Sequence, residues 1–157
     1  MTCGYTPSAG TQLQRLDKTG GTNVWETIGG VLEMPEINIT AGTAQCNDFD
    51  SVIDGFAEYF KNGRFEFNEM TFSMGVIEGA PIQEKLYQDV FRVGDDASGE
   101  TEAVGFRLLL PTATVTTFEF NALVIGWSLP IAAPDSDDNK LTTPLTLRPS
   151  GGLTRIV

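Results

Sequence analysis

The side chains of this sequence with chemistry to offer are carboxylates, because it contains no histidine. That absence removes Ser-His-Asp and Cys-His nucleophile systems, imidazole proton transfer near neutral pH, and the commonest zinc ligand. Acid–base work would fall to Asp, Glu, Lys or Tyr. Two acidic pairs stand out, Asp48 with Asp50 and Asp95 with Asp96. Catalytic carboxylates need surroundings that drive their pKa values apart. Both pairs sit among Gly, Ser and Asn, which suits a solvated turn. Asp135-Ser136-Asp137-Asp138-Asn139 opens like a calcium loop, in which clustered oxygens supply a hard cation with six or more ligands. Lys140 then stands where the sharp-turn glycine belongs and Thr146 where the closing glutamate belongs, so a solvated acidic loop accounts for it better. Cys3 and Cys46 have no Cys-x-x-Cys spacing and read as two free thiols, with a disulfide left open. No G-x-x-x-x-G-K phosphate loop is present, and Asn38-Ile39-Thr40 is a glycosylation triplet only in a secreted chain. The expectation is no catalytic residue, no metal and no cofactor.

The scaffold behind these residues is a chain of 157 residues, the usual size of one domain, so residues 1–157 are expected to form one. A hydrophobic content of 41%, with ten Phe, three Tyr and two Trp, can fill a core. The formal net charge of −11 opposes phosphate-backbone binding, which depends on Lys and Arg displacing counterions. A sequence-reading nucleic-acid binder is thereby excluded. The opening Met-Thr-Cys-Gly lacks a charged segment followed by an apolar run, and stretches such as Leu108-Leu109-Leu110 are too short to span a bilayer. A soluble protein made in the cytoplasm, without a membrane partner, is expected.

Seventeen glycines and eight prolines punctuate the chain at the short intervals of a β-rich domain. Val24 to Thr40 reads as a strand pair broken near Gly29-Gly30, and Gly42 to Gly63 as a long irregular loop with at most one turn of helix. From Phe65 to Ile77, Met70, Phe72, Met74 and Val76 alternate with Glu69, Thr71, Ser73 and Gly75, the pattern of a half-buried strand. Pro81 opens a helix in which Ile82, Leu86, Val90 and Phe91 recur at helical spacing, with Gln83, Glu84, Lys85 and Asp89 outside. Gly94 to Glu100 is a polar turn, and Ala103 to Leu110 a strand stopped by Pro111. Thr112 to Thr114 has hairpin length and leads into a long strand, Val115 to Leu129, with Phe118, Phe120, Ala122 and Val124 facing the core. Its odd positions begin polar at Glu119 and Asn121 and become apolar at Leu123, Ile125 and Trp127, as if a second subunit covered that end. Leu141, Leu145 and Leu147 mark the last strand.

The order of these pieces carries a resemblance. Val24-Trp25-Glu26-Thr27-Ile28-Gly29-Gly30-Val31 is followed by Met34-Pro35-Glu36, a polar and aromatic loop, and a strand ending Phe72-Ser73-Met74. After a short helix come Gly105-Phe106-Arg107-Leu108-Leu109-Leu110-Pro111, Thr117-Phe118-Glu119-Phe120-Asn121-Ala122, Trp127, an acidic loop, and Thr143-Pro144-Leu145-Thr146-Leu147. From about Thr11 to Gly152 the chain resembles the major tail tube proteins of long-tailed, non-contractile bacteriophages and gene transfer agents, without the added immunoglobulin-like domain of some members. The resemblance implies a mainly β fold, a β-sandwich or barrel-like domain with one flanking helix, assembled as sixfold rings stacked into a hollow tube that conducts the genome from the capsid. It implies a location in the virion tail. The partners implied are further copies of the chain, the tape measure protein, tail tip or baseplate proteins and terminator proteins, with double-stranded DNA only as passing cargo.

Under this resemblance Glu69, Thr71, Ser73, Glu119 and Asn121 are candidates to line the lumen, where an acidic wall would repel the phosphates of the cargo within a Debye length of ~8 Å. The 42–63 segment becomes the arm to the neighbouring ring, with Phe49, Phe56, Tyr59 and Phe60 as anchors; Leu123, Ile125 and Trp127 are subunit-interface candidates, and 149–157 a C-terminal tail. A tail terminator or other single-ring protein is the nearest rival. From other classes stand a β-sandwich that binds sugar or a cell-wall partner through Trp25 or Trp127, and a carboxylate-dependent hydrolase.

Overall fold

The computed structural model describes residues 10–46, 52–53, 56–77, 79–111, 116–127 and 142–156. Cys3, Asp48, Phe49, Asp50, Thr112 to Thr114, the Asp135–Asn139 loop and the side chain of Phe56 lie outside the described residues. The chain divides into two compact units, Met1–Glu36 with Glu69–Val157, and Ile37–Asn68. It is mainly β with one flanking helix, the fold class the sequence implied.

The larger unit contains β1 (Gln12–Asp17), β2 (Val24–Thr27), β7 (Met70–Gly75), α1 (Pro81–Phe91), β8 (Val104–Leu110), β9 (Thr116–Trp127), β10 (Thr142–Pro149) and β11 (Thr154–Ile156). The smaller unit holds β3 (Ile39–Gln45), β4 (Val52–Ile53), β5 (Phe56–Ala57) and β6 (Tyr59–Phe67). In the larger unit one antiparallel sheet runs β2-β1-β8-β9-β10-β7, with β11 added to β9. The segment after β2 reaches the far edge: Ile28 N–H donates to Leu13 O at 2.8 Å, Val31 bridges Met74, and Leu32 N–H donates to Ser73 O at 2.9 Å. The sheet therefore curls into a barrel-like wall, which covers the open edge of β7.

Register fixes which side chains share a face. The pairs Leu13↔Leu108, Phe106↔Phe120, Val104↔Ala122, Val124↔Leu147, Leu145↔Phe72 and Thr143↔Met74 place these residues on one inner face, and all are buried. Each large apolar side chain buried this way contributes about 1.5–3 kcal/mol. Phe106 and Phe120 stack there with centroids 5.9 Å apart.

Several expectations are corrected. Val24 to Thr40 is not a strand pair: only β2 lies in its first half, paired with β1, a strand the sequence reading did not propose. Phe65 to Ile77 is not one strand, since β6 ends at Phe67 and β7 begins at Met70. The 42–63 segment is not an irregular loop but most of an antiparallel hairpin, β3 against β6, with the short β4–β5 pair between them. Period 2 was invisible there because neither face is buried, so no apolar alternation is needed. β10 is not the last strand, because residues 154–156 of the expected tail pair with Glu119, Phe118 and Thr117.

The helix is in place, but its buried residues are Gln83, Leu86 and Asp89, whereas Phe91 is 67% exposed. A polar face turns inward because the sheet offers it partners. Gln83 accepts from Ile77 N–H at 3.1 Å and donates to Gly75 O at 2.9 Å, and Asp89 meets a buried arginine. Pro81 at the first helical turn fits its missing N–H.

Candidate functional site

Three regions hold the candidate residues. On the outer face of the large sheet, the register brings Glu69, Thr71, Ser73, Glu119 and Asn121 to one side: Thr71 pairs with Thr146, Ser73 with Pro144, Glu119 with Arg107, and Asn121 with Gly105. Arg148 bonds Glu69 on that side. The charges on this face are matched rather than acidic. Arg107 stands 3.9 Å from Glu119, bonds Gln14 at 2.9 and 2.6 Å, and lies over the Trp25 ring at 4.4 Å. The two hydroxyls of Thr71 and Thr146 meet at 3.2 Å. Each carboxylate here has its own guanidinium, so the wall of bare acid expected from the net charge is not what these residues form.

The second region is the smaller unit. Ile39↔Phe67, Ala41↔Phe65, Thr43↔Lys61 and Gln45↔Tyr59 are cross-strand pairs, and β3 runs unbroken, so Ile39, Tyr59, Lys61 and Phe65 share one hairpin face. Phe60, paired with Ala44, points to the other. Tyr59 is 65% and Phe65 68% exposed, and no described residue of this unit is buried. Gly63, at φ 78, with Arg64 N–H on Asn62 Oδ1 at 3.0 Å, makes the bulge that bends β6.

The third region surrounds α1. Thr146 pairs with Gly126 but Leu147 with Val124, so Ile125 is the extra residue of a β-bulge in β9. The bulge reverses the alternation: Trp127 pairs with Leu145 and shares the inner face, where its ring meets Tyr87 at 5.9 Å, while Leu123 stays outside opposite Arg148. Leu123, Ile125 and Trp127 therefore form no single stripe. Trp127, Tyr87, Val76, Ile77, Gln83 and Glu84 line a cleft of about 600 Å³.

Beneath the helix lies an ion cluster that the sequence reading missed. Arg15, on the inner face beside Leu13, donates to both Asp89 oxygens at 2.7 and 2.8 Å and approaches Glu100 at 3.5 Å. Arg92 also bonds Asp89. Burial acts to lower the Arg15 pKa, but the bonds and charges of Asp89 and Glu100 outweigh it, so the guanidinium is held charged. Nearby, Lys85 reaches Asp17 at 2.5 Å and Glu26 at 2.9 Å. Its ammonium is raised above the usual lysine value because the bonds to Asp17 and Glu26 exceed the cost of burial, and Asp17 is held far below the carboxylate range, chiefly by Lys85 and then Thr19. The sequence signal was the parity of Gln-Leu-Gln-Arg-Leu-Asp, which puts Arg15 on the face of Leu13.

These carboxylates are occupied by cations and backbone donors. Asp96 accepts from Ser98 and Glu100 N–H groups and from the Ser98 hydroxyl, which closes the polar turn and lowers its pKa. Among the described residues no group of three His, Cys, Asp or Glu is placed to hold a metal, and no helix is long and apolar enough to cross a membrane. Cys46 is a free thiol at the end of β3.

No protein-family model and no curated protein sequence matches the chain. Solved structures do. A chain of the sixfold-symmetrised baseplate of the anti-feeding prophage superposes with a TM-score of 0.73 at 12% identity, covering 99% of this chain and 97% of that one. A chain of the extended sheath–tube complex of the extracellular contractile injection system PVC gives 0.67 at 16% identity, over 98% and 92%. One from the tail of an empty gene transfer agent particle, refined with helical C6 symmetry, gives 0.66 at 18% identity, over 93% and 96%. Across both of its units, this chain has the fold of components of contractile injection systems and gene transfer agent tails.

Proposed function

We propose that this chain is a non-catalytic structural subunit of a phage-type tail or related injection apparatus, whose copies form sixfold rings that stack into a hollow tube. The observation that carries the reading is the smaller unit. A two-stranded hairpin with no buried residue among those described is marginal alone in water, and large aromatic groups exposed on it mark a surface suited to a partner. It becomes the arm that joins one ring to the next. The match in fold to sixfold and helical assemblies, over nearly the whole chain, supports the same reading.

In this tube the outer sheet face lines the lumen, with Glu69, Thr71, Ser73, Glu119 and Asn121 exposed to the cargo. Its arginines neutralise its carboxylates locally, so DNA passes a hydrated wall of low net charge and is not held by a ladder of phosphate contacts. A virion tail location follows, with tape measure, tail tip or baseplate, and terminator proteins as neighbours. A terminator would share the fold and stop at one ring.

The test is electron microscopy of the purified protein and of the particle containing it. Rings that stack into tubes, and a copy number well above one ring per particle, are the expected result. A single ring per particle would make it a terminator; a monomer at every concentration would end the reading.

A further inference from the structure

An apolar cleft opens beside α1. Tyr87 meets Trp127 edge-on at 5.9 Å and Phe91 at 5.2 Å, so a line of rings runs from the cleft along the helix to the exposed Phe91. Val76 and Ile77 extend the apolar surface, 40% and 46% exposed. A volume of about 600 Å³ lies within the ~300–1,000 Å³ of clefts that bury a guest. Its polar groups are few. The Gln83 amide is engaged by Ile77 N–H and the carbonyls of Gly29 and Gly75, which leaves little to bind a sugar or another polyol. Glu84 bonds only Gln88 and has no cation among the described residues. The guest that fits is apolar, aromatic and positively charged at one point.

One surface of the chain has this chemistry. The hairpin face of Ile39, Tyr59 and Phe65 is exposed, and Lys61 on the same face has no carboxylate partner among the described residues. We propose that the cleft of one copy receives the hairpin face of a second copy, with Tyr59 and Phe65 against Tyr87 and Trp127, and Lys61 against Glu84. This rests on the self-assembly reading above and names the surface on which the arm docks. The two halves of the contact differ, so the interface is heterologous. Each docked copy still presents a free cleft or a free hairpin, which permits growth.

Charge exchange in the full chain tests it. Lys61→Glu and Glu84→Lys should each weaken association at least several-fold in sedimentation velocity, and the double variant should recover it. Tyr87→Ser and Phe65→Ser should each weaken it at least about tenfold with unchanged circular dichroism, since both side chains are exposed. In chains with Cys3 and Cys46 replaced by Ser, a Phe65→Cys copy mixed with a Tyr87→Cys copy should give a disulfide-linked dimer under oxidation. If the wild type assembles while the exchange fails to rescue and no cross-link forms, the docking site is wrong and the tube reading stands. If the wild type never associates, both are overturned.

Discussion

The two units of this chain are built from the same material, antiparallel strands rich in aromatic residues, yet they solve opposite problems. The larger closes its sheet around Phe72, Phe106, Leu145 and Leu147, seals the inner face with α1, and satisfies even a buried arginine. The smaller buries nothing among its described residues and carries Tyr59, Phe60 and Phe65 in the open. The contrast separates stability from assembly: the first unit should determine whether the chain folds, and the second what it joins.

Five changes put that separation at risk, the most damaging first. Asp89→Ala leaves Arg15 charged and buried with Glu100, at 3.5 Å, as its remaining carboxylate, and should cost about 3–5 kcal/mol in urea unfolding. A loss below 1 kcal/mol would mean the cluster is not what anchors the helix. Gly30→Ala should cost about 1–3 kcal/mol, because Gly30 has φ 77 and a Cβ there would stand 2.8 Å from Gly75 O. An unchanged melting temperature would show that the crossing from β2 to β7 is loose.

Lys85→Met should act through pH. Asp17 is depressed, so its contribution is complete above its ordinary value of 3.8 and lost as acid approaches its folded value. Lys85 is raised, so its contribution is complete below 10.5 and lost as pH rises past its folded value. The wild type should hold a plateau between these limits, while the variant loses most of the alkaline fall and part of the acid one; parallel curves would refute the assignment. Phe65→Ser should change unfolding by less than about 0.5 kcal/mol while abolishing tube formation in electron micrographs. Deleting Asp48 to Asp54 should likewise leave a folded protein that does not polymerise. Normal tubes from either would collapse the division of labour between the units.

The strands of the large sheet were legible where one face is dry. Met70, Phe72 and Met74, or Phe118 to Val124, declare their period because water is on one side only. The hairpin was not legible for the converse reason. The inward turn of Asp89 was hidden because an amphipathic helix is read by assigning charge to solvent, and only a partner such as Arg15, 74 positions away, overrides that rule. Likewise Trp127 sat on the expected side until one unpaired residue, Ile125, exchanged the faces of everything after it.

By itself the sequence determined that histidine chemistry is absent, that the chain is β-rich with one helix opened by Pro81, and that Glu69, Thr71, Ser73, Glu119 and Asn121 alternate away from apolar neighbours. These are properties of composition and local period, which need no distant partner. Only the tertiary structure decided that those five share one face, that each glutamate meets an arginine, that Arg15 and Asp89 are buried together, and that the chain divides into a filled unit and an unfilled one. Pairing between strands far apart in sequence sets register, and register decides which charges meet.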